Sequence, residues 1–297
     1  MKKLLLLLTF TTTIIQFINA QFFTGLRSSP YGGVTNVGWS PAIADAPFVA
    51  DVNLIGMAAN FNNNYVGVDR NLLLKKDYKG NNTGDFQADF LKERVNGHDK
   101  SVYMGMQVQG PLSFMCTWGK GENKNKNAFA FTWNVNTVFN MDRVDETFAR
   151  IAYHGEGFQA DSILHYLDKG LNNGNISARA MVWADYGLTY SRVVYDEGDH
   201  FIKVGGTLKF IQGIAGAYAY VKDLKYQWHN YDYLSVFQTQ AHYAYSQGFI
   251  SSKGYPVTDI SSFAKNLVSF TYAYPSFAGD LGLTYEWRPK KDKYKYK

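Results

Sequence analysis

One cysteine, Cys116, is all that the 297 residues contain. An intramolecular disulfide is therefore excluded, and so is a zinc site built from paired cysteines. Beyond residue 20 no apolar run reaches the roughly 18 residues expected of a membrane-crossing helix. Catalytic signatures are missing as well. There is no Gly-x-Ser-x-Gly elbow, no phosphate-binding Walker loop and no His-Glu-x-x-His pair. The six histidines, at 98, 154, 165, 200, 229 and 242, share no ligand spacing. No enzyme activity, no cofactor and no metal is expected from these residues.

A strongly basic face is also lacking. The chain carries 30 lysines and arginines against 25 acids, but Lys2, Lys3 and the run from Arg288 to the C-terminus hold more than the whole excess. The remainder is close to neutral, which gives no footprint for nucleic acid.

What is present begins with an export signal. Lys2 and Lys3 precede an apolar stretch over residues 4–17, and Ala20 stands at the expected cut. Residues 1–20 read as a cleaved signal peptide. Residues 21–48 are rich in Gly, Pro, Ser and Ala without a clear period, and read as an irregular lead-in or plug segment.

From residue 49 to 297 the signal is alternation. In residues 128–139 the odd positions are Phe129, Phe131, Trp133, Val135, Thr137 and Phe139, and the even ones are small or polar. Twelve residues of period two, at about 3.3 Å rise and about 40° tilt, climb roughly 30 Å. That matches the apolar band of an outer membrane and exceeds a usual soluble strand. Residues 112–118 alternate likewise, as do 176–195, 200–211, 234–245 and 281–288. Residues 62–100 read largely as loop, while 142–154 and 161–171 carry apolar residues at helical spacing. The fold class expected is all-β, an antiparallel transmembrane β-barrel with one or two short helices.

Charge parity points the same way. Arg179, Asp185, Lys203, Lys209, Gln238, Gln240, His242, Glu286 and Arg288 fall opposite the apolar positions of their own strands. A cation facing lipid at mid-depth costs about 2–4 kcal/mol, so these residues are expected to line a polar lumen.

Several stretches, in order, carry a resemblance. They are Ser40-Pro41-Ala42-Ile43-Ala44-Asp45, Asn62-Asn63-Asn64-Tyr65, Gln109-Gly110-Pro111-Leu112-Ser113, Gly187-Leu188-Thr189-Tyr190, Phe201-Ile202-Lys203-Val204-Gly205-Gly206 and Gly282-Leu283-Thr284-Tyr285-Glu286-Trp287-Arg288-Pro289. Together they resemble an uncharacterised family of outer-membrane β-barrels from the Bacteroidota, some of whose members carry an OmpA-like peptidoglycan-binding domain. The Ser-Pro-Ala stretch is also similar to the Asn-Pro-Ala lead-in of fatty-acid-transporter barrels, whose N-terminus plugs the lumen; Ser40 departs from that pattern. The resemblance makes Pro41, Ala42 and Asp45 plug candidates. It implies an outer-membrane location, with membrane lipid and the barrel-assembly machinery as partners, and peptidoglycan through a C-terminal domain this chain does not show. The ending at Lys297 lacks the terminal aromatic strand of such barrels, so an incomplete barrel is expected. The expected role is structural, or porin-like passive passage of a small solute or lipid. The alternative is a secreted or surface β-sandwich that binds glycans through its aromatic residues.

Overall fold

The computed structural model describes residues 30–68, 91–119, 126–154, 172–230, 233–246 and 275–289. Among them the strands are β1 (Ala50–Asn53), β2 (Gly56–Asn63), β3 (Val66–Val68), β4 (Leu91–Glu93), β5 (Lys100–Gln109), β6 (Ser113–Trp118), β7 (Asn127–Val144), β8 (Asn172–Glu197), β9 (His200–Asn230), β10 (Tyr233–Tyr245) and β11 (Pro275–Trp287). The chain is all-β and antiparallel: nine of these strands form one sheet, and β3 and β4 pair separately.

The sheet is a meander of long rows. β7, β8 and β9 pair side by side. On one flank β5 and β6 lie end to end along β7, and β2 and β1 lie end to end along them. On the other flank β11 pairs with the first half of β9 and β10 with its second half. Among the described residues the sheet is open: β1 and β2 at one edge do not pair with β10 or β11 at the other. Strands β8 and β9 run to 26 and 31 residues. The alternation in their sequences extends well beyond the stretches where it is cleanest, and the tight turn at Gly198, with φ of 57°, joins them.

Pairing of β7 with β8 keeps one register from Asn127↔Arg192 to Asp142↔Ser177. Even residues of β7 therefore share a face with odd residues of β8. That face is polar or small: Ala128, Ala130, Thr132, Asn134, Asn136, Asp185, Thr189 and Ser191 are all buried on it. The opposite, apolar face stands in the open, with Leu281 94% and Phe277 85% exposed. Phe129, Phe131, Trp133 and Val135 lie on this apolar face, which the alternation anticipates.

Of the interruptions that bend the rows, two lie in mid-sheet. Between Gln109↔Asn134 and Phe114↔Phe131 the β5–β6 row carries two residues more than β7. The extra residues fall at Gly110-Pro111-Leu112, where Leu112 has a φ of 67°. Trp133 explains the glycine: its indole donates to the Pro111 carbonyl at 2.7 Å, and a Cβ on Gly110 would lie 1.9 Å from its ring. In β9 the extra residue is Ile214, between Trp183↔Gly213 and Val182↔Ala215.

One α-helix occurs among the described residues, α1 (Glu146–His154). It starts later than the spacing over 142–154 suggests. Residues to Val144 stay in β7, and the Asp145 carboxylate accepts from the Thr147 and Phe148 amides at 2.9 and 3.3 Å, capping the helix. The reading of 62–100 as loop gives way at Val66–Val68 and Leu91–Glu93, which pair. The helical reading of 161–171 falls outside the described residues, as do residues 1–20.

Candidate functional site on the polar face

The N-terminal segment lies across the polar face. It forms two 3-10 stretches, Pro30–Gly38 and Ser40–Ile43. Its apolar side chains Val34, Val37, Ile43 and Ala46 cluster with Met115 of β6 and with Ala128 and Ala130 of β7. The small residues on β7 leave room for the segment; larger ones would push it off.

Two glycines complete the seat. Gly205 of β9 and Gly282 of β11 are cross-strand partners. A Cβ on Gly205 would lie 2.6 Å from the Ser40 carbonyl carbon and 2.7 Å from the Pro41 nitrogen. A Cβ on Gly282 would lie 2.6 Å from Pro41 Cδ. Only bare backbone admits Pro41 at this distance. Ala42 is buried beside it, and Ala44 packs with Val193 and Phe201.

Polar contacts fix the segment in register. Trp39 donates from its indole to the Thr284 hydroxyl at 2.9 Å. The Val34 amide donates to the Asp51 carboxylate at 2.8 Å, against Gly33, whose φ of 55° and lack of a side chain let that carboxylate approach. Thr117 donates from its hydroxyl to the Phe48 carbonyl at 2.7 Å.

An ion cluster closes the far side of the seat. Arg288 pairs with Asp45 at 3.1 Å and with Glu286 at 2.6 Å. Lys203 pairs with Glu286 at 3.2 Å. The Arg288 guanidinium carbon stacks 3.6 Å from the centre of the Phe201 ring. Asp45 itself has a φ of 67°, in the left-handed region that Asp tolerates better than most residues. Burial raises its carboxyl above the ordinary value, while Arg288 and Lys203 pull it back. Removing the Arg288 charge would leave this acid desolvated and without its main partner.

The residues anticipated from charge parity divide among several places. Lys203, Glu286 and Arg288 come together with Asp45, and Pro41 and Ala42 sit in the glycine seat. Lys209 pairs with Asp280 of β11. Asp185 accepts from Asn134 and Asn136 of β7, at 2.8 and 2.5 Å. Arg179 is exposed further along the same face, 3.8 Å from Asp142. Gln240 and His242 are exposed on β10 opposite Lys222 and Tyr220, and Gln238 stands opposite Lys225 between two register shifts. His242 is not brought to the Asp45 cluster: its partner Tyr220 lies about 55 Å along β9 from Lys203, at about 3.3 Å per residue. Apart from Arg288 with Glu286, two residues away, the ion pairs of these residues join neighbouring strands, or a strand to the N-terminal segment.

Sequence reasoning misses Trp39, Asn134 and Asn136 as partners. Asn134 and Asn136 share the parity of the buried positions, but the acid they meet depends on the β7–β8 register. A second polar cluster is also missed. At the other end of the sheet Lys100, almost fully buried, pairs with Glu146 of α1 at 3.3 Å and donates to the Arg94 carbonyl and the Asn96 side chain. Beside it Tyr65 donates to Glu93, which also meets Arg150 at 3.3 Å. Burial first, and then Glu93, raise the Tyr65 hydroxyl above its ordinary value. This cluster ties α1 to the β3–β4 pair. Among the described residues no group of His, Cys, Asp and Glu is arranged to hold a metal ion.

Neither a curated protein nor a solved structure matches the chain. A family model does, over residues 41–296. The match begins at Pro41, in the glycine seat, and takes in every strand, so this chain belongs to the family of unknown function DUF5723.

Proposed function

We propose that the protein is an outer-membrane β-barrel wall whose N-terminal segment plugs the interior, with a structural envelope role or a passive route for a small solute or lipid. The observation that carries this reading is the division of the sheet into two faces. Leu208, Leu281, Leu283, Phe277, Tyr285 and Trp287 are all more than half exposed on one face. A soluble monomer rarely leaves so continuous an apolar surface in water. A bilayer supplies the missing partner.

Three further features support the reading. The polar face holds the charges and is partly filled by the N-terminal segment, as in plugged barrels. Strands of 26 and 31 residues exceed the roughly ten that a bilayer crossing needs, so their ends would project beyond it. The β8–β9 connection at Gly198 is tight, which suits a periplasmic turn, while the connections at residues 64–99 and 145–171 lie at the opposite end, with the short one at 231–232. The resemblance to Bacteroidota outer-membrane barrels supports the same location.

The alternative, a glycan-binding sandwich, needs short strands and an apolar interior between two sheets. Here the covered face is the polar one and the bare face the apolar one. Cell fractionation with detergent extraction is the test. Recovery in the membrane pellet, released only by detergent, is expected; recovery in the soluble periplasm or medium would overturn the proposal.

A further inference from the structure

The apolar face carries a notch that the plug does not use. Gly206 points to this face, between Tyr190 of β8 and Leu281 of β11, its partners on either side. Val204 and Leu283 stand one row nearer the Gly198 turn. Where neighbouring rows project large side chains, Gly206 projects none. A shallow, open depression of about 470 Å³ results, lined by Tyr190, Val204, Leu281 and Leu283 with the bare backbone of Gly205, Gly206 and Gly282 as its floor. The Tyr190 hydroxyl donates to the Asn127 side chain at 3.1 Å, which holds that wall in place.

One charge adjoins the notch. Arg192 follows Tyr190 by two residues, so it shares the apolar face, and it lies opposite Val204. Among the even positions of β8 from 176 to 194 it is the only charged residue. It is exposed. Its guanidinium has no hydrogen bond or ion pair to another described residue, and the acid Asp196 pairs with Lys126 at 3.3 Å. Four residues further toward the turn stand Trp287 and His200, and between them Tyr285 donates to or accepts from His200 at 2.7 Å. Such an aromatic group marks the headgroup level of a membrane wall. Arg192 therefore sits just inside that level, within reach of it by extension of its side chain. A cation there is unfavourable in a depth-dependent way unless an anion meets it.

We propose that the Gly206 notch and Arg192 form a binding site for one anionic phospholipid, an acyl chain in the notch and the phosphate headgroup on the guanidinium. The site rests on the membrane reading given above. Its occupant follows from complementarity: an apolar slot open to the face that would meet lipid, and at its headgroup end a positive charge that no described residue pairs.

The test is native mass spectrometry of the full chain extracted from membranes in detergent, with phosphatidylglycerol or phosphatidylethanolamine of identical acyl chains added. The expected result is a single retained adduct that favours phosphatidylglycerol by about fivefold, the ratio one basic residue near an anionic surface supplies. Arg192→Gln should abolish the preference and keep the adduct. Gly206→Leu, which fills the notch, should abolish the adduct with both lipids. Equal retention of the two lipids by the unaltered protein, or an unchanged preference in Arg192→Gln, would overturn the site. Arg192 is exposed and has no ion pair to another described residue, so this variant keeps the proposal falsifiable even where Gly206→Leu fails to assemble. Membrane-extracted protein without a lipid preference would remove the site and leave the membrane reading standing. Recovery of the protein without detergent would remove both.

Discussion

Placing a methyl group on each of the two seat glycines, Gly205→Ala with Gly282→Ala, should lift the N-terminal segment. The Gly205 methyl would meet the Ser40 carbonyl carbon and oxygen and the Pro41 nitrogen, all within 2.8 Å. These are backbone atoms and cannot rotate away. The Gly282 methyl would meet Pro41 Cδ and Cγ at 2.6 and 2.7 Å, on a ring with little freedom to yield. Overpacking of this kind costs about 1–3 kcal/mol per site. Both methyls press on Pro41, so the two costs need not add; a joint cost of about 2–4 kcal/mol is reasonable, or roughly 30- to 1,000-fold in the population of the lifted state. Opposing this, Val34, Val37 and Ile43 remain buried elsewhere, so the segment should open at Pro41 before it leaves altogether. Ala42, only 6% exposed, is the position to report it. In a Cys116→Ser background, Ala42→Cys should react slowly with maleimide in the unaltered seat and much faster with both methyls present. Gly213→Ala is the control, since a Cβ there meets nothing within 4 Å. A folded double variant that labels as slowly as its parent would refute the glycine seat.

Arginine at Phe131, on the apolar face, should reduce membrane assembly at a cost of about 2–4 kcal/mol at mid-depth; assembly yields equal to the parent's would count against the facing assigned to β7. Asp185→Ala removes the acceptor for Asn134 and Asn136 together and should lower stability by about 1–3 kcal/mol for each stranded donor, read as a lower denaturant midpoint, with Asp185→Asn milder. Gly110→Val must displace the Trp133 ring and should cost about 1–3 kcal/mol; an unchanged unfolding temperature would show that the bulge is not held by that contact. In planar bilayers the full chain should conduct weakly, because the segment and the Arg288 cluster occupy the polar face, and deletion of residues 30–46 should raise the conductance; porin-like currents from the full chain would contradict the plug.

Strand identity was legible because period two is a local property. Phe129 to Phe139 declares its two faces without reference to any other strand. Strand length was less so: β8 and β9 continue where Met181 and Trp183 bring large apolar residues to the polar parity and where Ile214 inserts an extra residue. Neither break ends the pairing, since hydrogen bonds to both neighbours carry the chain across it. Parity speaks to the face a charged residue takes on its own strand, but it holds no information about position along a row. Lys203, Glu286 and Arg288 meet because β9 and β11 pair in one particular register, while His242 shares the parity and lies far away. Asp45 was suggested by the resemblance alone, and Trp39 by nothing, since a single tryptophan in an aperiodic stretch has no partner until Thr284 is placed.

The meander gives this molecule an order of assembly. Each strand from β7 to β9 pairs with its immediate successor, so these rows can zip up one hairpin at a time from contacts close in sequence, the kind that form fastest. The N-terminal segment has no such shortcut. Its seat draws on β6, β7, β8, β9 and β11, and the bond from Trp39 to Thr284 closes a loop of 245 residues. This early segment is thus the last to find its place, and it can do so only when every row between has registered correctly. A docked segment certifies a finished sheet; a slip of one residue anywhere in β9 or β11 would turn Gly205 or Gly282 to the other side and leave Pro41 with nowhere to sit.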